Sequence, residues 1–322
     1  MTRHSPPVAE GPLSPAQAAL IAELAAAAGQ ADAVAPLSEH ALLHARRPDG
    51  TARDLVIVSN GRALGYAHLD LAADPETADL SGELVVHPEN RRQGHGGALL
   101  AALTGPPATL SPPATPGPAA TPAGHGIRLW AHGDLPAAAG FAAASGFSRA
   151  RSLWQMRRAL DGADAALPAP EFPAGVTVRA FVPGRDEEAW LAVNARAFAH
   201  HPEQGGWTKA DLEVREAEPW FDPEGFFLAE RDGVLVGFHW TKVHPEGPDG
   251  SPEGEVYVVG VDPAGQGGGL GRALTIAGMR YLQGRGLAHV MLYVDADNAP
   301  AARMYTALGF SRWNTDVMYR RG

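Results

Sequence analysis

The chain has 322 residues, enough for about two domains at roughly 150 residues each. Hydrophobic residues make up 45% and charged residues 19%, which excludes a disordered or fibrous chain, and the net charge of −10 argues against non-specific binding to nucleic acid or anionic lipid. The absence of cysteine excludes a disulfide framework, a thiolate nucleophile and a Cys-ligated metal, and makes a reducing cytoplasm the expected location.

Taken in order, the first half predicts a helix around Pro15 to Ala28, then a hairpin of Leu55 to Ser59 and Ala63 to Leu71 turning at Asn60-Gly61. A strand ending Leu84-Val85-Val86 follows, then a helix after Gly96, a strand Ile127 to Ala131, a helix Pro136 to Ser145 and a final strand. The stretch Ala18 to Ala28 is interrupted by Glu23 and preceded by little more than Arg3, so it reads poorly as a secretory leader. No run of about 20 apolar residues suggests a membrane span. Thr104 to Gly126 holds seven prolines and four glycines with no Asp, Glu, Lys or Arg, the composition of a flexible insert.

The second half repeats the plan. It predicts a helix Glu187 to Phe198, a hairpin of Gly225 to Arg231 and Val234 to His244 turning at Asp232-Gly233, and a strand Glu255 to Val261. A helix after Gly271, a strand His289 to Val294 and a helix Ala299 to Leu308 complete it. Val86 to Pro88 matches Val261 to Pro263 at an offset of 175, and Ser145 to Phe147 matches Leu308 to Phe310 at 163, the difference falling in the Pro-rich insert. Two tandem α+β domains are expected, residues 1–158 and 175–322, joined by the linker 159–174, which contains Pro168, Pro170 and Pro173.

Each half carries a strand, a turn and a Gly-rich string opening a helix: Arg91-Arg92-Gln93-Gly94-His95-Gly96 and Gln266-Gly267-Gly268-Gly269-Leu270-Gly271. Glycines let successive backbone N–H groups point into one concavity, and the helix N-terminus adds partial positive charge, a combination that holds a pyrophosphate. Neither string is a Walker A loop, and Leu99 and Leu274 break the dinucleotide fingerprint. His200-His201 has no third ligand at metal-site spacing, so no metal is expected. Trp207, Trp220 and Trp240 read as core or lid more readily than as sugar platforms.

The Gly-rich strings resemble the acyl-CoA-binding motif of the GNAT superfamily of N-acetyltransferases. The resemblance implies two GNAT-type domains, each a mixed sheet flanked by helices, with acetyl-CoA as acetyl donor. It implies that Leu84, Val85 and Val86, and likewise Val259, Gly260 and Val261, pair through their backbones with the pantetheine arm. The residues Arg91 to Gly96, Gln266 to Gly271 and Arg272 would hold the pyrophosphate, and Asn298, Ala299, Pro300, Ala301, Ala302 and Arg303 would line the same cofactor site. Glu255 would act as general base through water, a backbone N–H near Val261 would serve the oxyanion, and Tyr305 would be the general acid. At the sequence offsets, Glu255 corresponds to Leu80, Tyr305 to Ala142 and Asn298 to Leu135, so the first domain is expected to be non-catalytic.

Further strings, Leu37 to His40, Ala199 to Gly205, Gly237 to His244 and Gly254 to Pro263, resemble the mycothiol acetyltransferase family. That resemblance implies acetyl transfer to the cysteinyl amine of a cysteine-glucosamine-inositol conjugate. It implies substrate contacts at Glu39, Glu203, Lys242, Glu255 and Tyr293, a small-molecule amine as partner, no nucleic acid or membrane partner, and compatibility with a monomer. Another small amine, such as an aminoglycoside or polyamine, and a non-catalytic acetyl-CoA sensor stand as alternatives.

Overall fold

A computed structural model describes residues 7–48, 50–72, 77, 79–105, 126–162, 165–247 and 249–321; the side chains of Pro202 and Glu203 are not described. Most of the Pro-rich insert, 106–125, lies outside the described residues. In chain order the elements are β1 (Val8–Glu10), α1 (Pro15–Asp32), α2 (Glu39–Arg46), β2 (Ala52–Ser59), β3 (Arg62–Asp70), β4 (Leu80–Val86), α3 (His95–Thr104), β5 (Ile127–Ala131), α4 (Pro136–Ala144) and β6 (Ser148–Ala159). They continue with β7 (Val176–Ala180), α5 (Glu187–Ala197), α6 (Pro202–Gly205), α7 (Lys209–Glu216), β8 (Phe226–Arg231), β9 (Val234–His244), β10 (Glu253–Val261), α8 (Leu270–Gly284), β11 (His289–Asp295), α9 (Ala299–Ala307) and β12 (Ser311–Arg321). Among the described residues no helix is long and apolar enough to cross a membrane.

The chain divides into two units, residues 1–152 with 315–322, and residues 153–314. This departs from the sequence partition, in which the break fell within 159–174. In the first unit β1, β2, β3 and β4 run antiparallel in order, β4 pairs parallel with β5, and β5 pairs antiparallel with Val317–Arg321 of β12. In the second unit β7, β8, β9 and β10 run antiparallel, β10 pairs parallel with β11, and β11 pairs antiparallel with Leu153–Ala159 of β6. Each sheet is therefore completed by the last strand of the other sequence repeat. Both strands follow the same string, Gly-Phe-Ser-Arg at 146–149 and 309–312, after which their sequences diverge.

Local chemistry accounts for the shared plan. Asn60 and Gly61 both have positive φ (50° and 72°), as do Asp232 and Gly233 (53° and 76°), the requirement of a two-residue hairpin turn whose twist matches its strands. α1 starts at a reciprocal cap in which Ser14 accepts from the Gln17 N–H and Gln17 returns the bond, with Pro15 at its first position. It buries Ile21, Leu24 and Ala28, a helical spacing, against Val56, Tyr66 and Val85. The opposite face of that sheet packs Leu80, Leu99, Leu103 and Leu129 under α3. In the second unit α8 and α9 cover one sheet face with Ile276, Met279, Leu282, Tyr305 and Phe310 on Val256, Val290 and Leu292. The other face is filled by Trp190, Leu212, Phe226, Phe238, Trp240 and Val258.

The units differ at one point that governs the site. The pairing of β9 with β10 shifts register between Val256 and Val258, so Tyr257 is an extra, bulged residue. Leu69 pairs with Gly82 in the first unit, and the equivalent Thr241 pairs with Val256 in the second, one residue away from the sequence offset. Counted across the strands, the counterpart of Glu255 is Ser81, which corrects the expectation of Leu80. Leu80 lies in the core under α3, whereas the bulge turns Glu255 to the face of Lys242 and away from α8.

Candidate active site

The site is built on β9, β10 and β11 of the second unit. Glu255 and Lys242 are directly opposite across the antiparallel pair, so their side chains share a face, and His244 shares it two residues further along β9. Glu255 is buried, and its Oε2 lies 2.7 Å from Nε2 of His244. Burial pushes the Glu255 carboxyl up, but the hydrogen bond and charge of His244 with the charge of Lys242 outweigh it and hold the carboxyl below its ordinary range. Lys242 is buried with its Nζ 4.5 Å from the Trp220 ring centre and 5.1 Å from that of Tyr257, which places a cation on two aromatic faces. Tyr293, on β11, lies on the same sheet face as Met291, the partner of Glu255, and is 43% exposed.

The parallel pairing of β10 with β11 covers Gly254, Glu255 and Val256. β10 then continues to Val261 paired with β9 on one side, so the backbone of Val259, Gly260 and Val261 is left with an unpaired edge toward β11. β4 and β5 part in the same manner after Glu83. Tyr305 reaches the second sheet from its other face, where α9 buries it against Phe310 at a ring separation of 5.8 Å, and burial pushes its pKa up to about 12. Glu255 and Tyr305 thus stand on opposite faces of the sheet, flanking the parting of β10 from β11.

Beyond β10, Asp262 accepts from the N–H of Ala264 and from Nε of Arg196 at 2.6 Å, fixing the turn into the Gly-rich loop. Gly267, Gly268 and Gly269 all have positive φ, 94°, 60° and 82°, which a side chain at any of them would strain. α8 then starts with no side-chain cap, so its first N–H groups face the loop unpaired by any capping residue. Gln266 and Arg272 are exposed beside Leu270, which is buried, and Gly271. Asn298 caps α9 by accepting from the Ala301 N–H, Ala299 and Pro300 form its first turn, Ala302 is buried and Arg303 is exposed.

The first unit repeats the loop but not the reactive groups. Arg92 and Gly94 hold the positive φ of Gly267 and Gly269, and α3 likewise lacks a side-chain cap. Here the Arg91 guanidinium is committed to both oxygens of Asp32 at 2.7 and 2.6 Å, and Gln93 donates to the Glu89 carbonyl. Ala142 occupies the α4 position equivalent to Tyr305, and Leu135 precedes α4 with no side-chain cap. Glu39 is the first residue of α2, and the preceding Ser38 N–H donates to buried Glu83 at 2.7 Å. The fifth implied contact, Glu203, falls in α6, and its side chain lies outside the description.

His244 was not singled out among the sequence candidates; it stood inside the quoted string 237–244, and only the strand register reveals its partner. Trp240 is fully buried, stacked on Phe226, with Trp207 and Trp220 packed around it. In the first unit His40, His68 and Asp70, and His44, Asp54 and His68, bring ligand-type atoms within 4.8 Å of one another, a cluster also missed in the sequence. Its separations of 2.9 to 3.2 Å are those of shared protons.

These features define an acetyltransferase of the GNAT class. The acetyltransferase (GNAT) family matches residues 193–310. The tandem GNAT protein from the clavulanic acid biosynthesis pathway superposes with a TM-score of 0.66 at 20% identity, covering 98% of both chains, which extends the fold likeness to the whole length. The mycothiol acetyltransferase of Thermobispora bispora is 56% identical, with 96% of this chain and 97% of that protein aligned. That of Thermomonospora curvata is also 56% identical, over 96% of this chain and 95% of its own. The chain belongs to the mycothiol acetyltransferase family.

Proposed function

We propose that the second unit transfers the acetyl group of acetyl-CoA to the cysteinyl amine of a cysteine-glucosamine-inositol conjugate, giving mycothiol and CoA. The observation that carries this reading is the bulge at Tyr257, which turns buried Glu255 to the polar sheet face at the parting of β10 from β11. The pantetheine arm pairs with the open backbone edge of Val259 to Val261. The pyrophosphate lies on the loop Gln266 to Gly271 at the uncapped start of α8, with Arg272 beside it and the first turn of α9, Asn298 to Arg303, flanking the arm.

An α-ammonium has a reference pKa near 8, so it must lose a proton before attack. Glu255 receives that proton through water. The amine nitrogen bonds to the thioester carbon, an N–H of the β10 edge near Val261 stabilises the oxyanion, and the C–S bond breaks as the intermediate collapses. Tyr305, kept protonated by its raised pKa of about 12, gives its proton to the leaving thiolate, and the second proton shed by the nitrogen as the amide forms returns to the phenolate through water. Glu203, Lys242 and Tyr293 supply acceptors and donors for the sugar and polyol hydroxyls. The first unit handles no proton of the reaction. The acceptor carries a free thiol, which persists in a reducing compartment, and this supports a cytoplasmic site for the reaction.

The test is a panel of amines offered with acetyl-CoA, read by mass spectrometry and by release of CoA thiol. The conjugate is expected to be acetylated on its amine far faster than an aminoglycoside or a polyamine. Preferential acetylation of either of those, or thioester binding with no amide formed from any amine, overturns the proposal.

A further inference from the structure

A carboxylate that takes one proton in every turnover must also lose it, and a buried one whose catalytic side is filled by substrate needs a second route to water. Glu255 is 6% exposed and its Oε2 is 2.7 Å from His244 Nε2, while the His244 ring is 35% exposed at the end of β9. The charged neighbours facing this pair are already engaged. Lys242 lies against Trp220 and Tyr257, and Glu253, the strand partner of His244, accepts from Arg157, which also donates to Asp249. His244 therefore connects the buried carboxylate to solvent on this face.

The geometry points to His244 as the positioning residue and proton outlet of the acetyl transfer, acting through Glu255. The proton balance is simple. The O–H bond formed on Glu255 breaks as an N–H bond forms at His244 Nε2, the resulting imidazolium releases its Nδ1 proton to water, and exchange of ring protons with water returns the ring to its Nδ1–H form, leaving Nε2 free and Glu255 ionised for the next amine. The inference rests on Glu255 being the base.

Three variants separate the possibilities. His244→Ala and His244→Gln are expected to lower kcat by on the order of 10-fold or more, with a smaller change in KM for the amine. The alanine variant should recover rate with added imidazole. The glutamine side chain keeps a donor near the Nε2 position but cannot carry a proton, so a wild-type rate in His244→Gln would remove the proton outlet and overturn the inference. Failure of imidazole to rescue His244→Ala would overturn it as well. Glu255→Gln is run in parallel: wild-type turnover there removes Glu255 as base, whereas loss there with an unaffected His244→Gln removes the outlet alone.

Discussion

Histidines flanked by carboxylates in the first unit couple its stability to pH. His68 lies between Asp54, at 3.0 Å from Nδ1, and Asp70, at 3.1 Å from Nε2, and despite burial these two carboxylates raise its pKa to about 10. His132, between Glu83 and Asp316, is raised to about 10 in the same manner. A folded-state pKa above the unfolded value of 6.5 contributes stability that is complete below 6.5 and is lost as pH rises through about 10. Asp54 and Asp70 are held below their ordinary 3.8, burial opposing and the histidine hydrogen bonds prevailing, so their contribution is present above that value and lost in acid. Thermal midpoints of the first unit should therefore be highest between roughly pH 4 and 6.5 and fall toward pH 10. His68→Gln and His132→Gln should each flatten the alkaline fall; an unchanged slope in both variants contradicts the ion pairing. Residue identity alone did not reveal these pairs. His68 and Asp70 are two apart on one strand, but Asp54 and His44 reach them only through the packing of β2 and α2.

At the scale of elements, the Gly-rich loop of the second unit separates backbone need from side-chain need. A Cβ at Gly269 meets nothing within 4 Å, so Gly269→Ala creates no clash and costs only the strain of a φ of 82°, about 1–2 kcal/mol. That strain falls on the backbone expected to hold the pyrophosphate. KM for acetyl-CoA should rise by roughly tenfold, as about 1.4 kcal/mol of lost binding requires. Gly94→Ala in the first unit, with a φ of 91° and equally open space, should leave KM and kcat within about twofold if, as proposed, the reacting thioester is held by the second unit. Equal losses would couple the first loop to turnover. Hairpins, the Gly-rich turns and the long helices were legible because Asn-Gly, Asp-Gly and helical spacing state their own geometry. The bulge was not. Val256-Tyr257-Val258 sits in an apolar run whose alternation carries no mark of an extra residue, so the count from Val261 placed the counterpart of Glu255 on the wrong sheet face. The short, polar α2 and α7 were missed because their apolar positions are too few to show a period.

For the molecule as a whole, the repeat was legible from two anchored offsets, and the assignment of the last strands was not. Cutting the chain near 165, where the prolines cluster, would leave each fragment with the strand that completes the other sheet. Removing residues 315–322 takes Val317–Arg321 away from β5, and with it the pair of Asp79 with Arg320 at 2.6 Å. Hydrogen exchange should then show lost protection in Ile127–Ala131, with β8, β9 and β10 of the second unit retaining theirs. Protection lost in the second sheet instead would contradict the strand exchange.

Steady-state turnover of the cysteine-glucosamine-inositol conjugate with acetyl-CoA, compared for the wild type, Glu255→Gln and Tyr305→Phe, tests the mechanism most directly. The wild type should form one amide for each CoA released, and each variant should lose about 10² or more in kcat, the usual scale of lost acid or base help. Near-wild-type kcat in both variants would contradict proton transfer by this pair and, with it, the placement of the chemistry in the second unit.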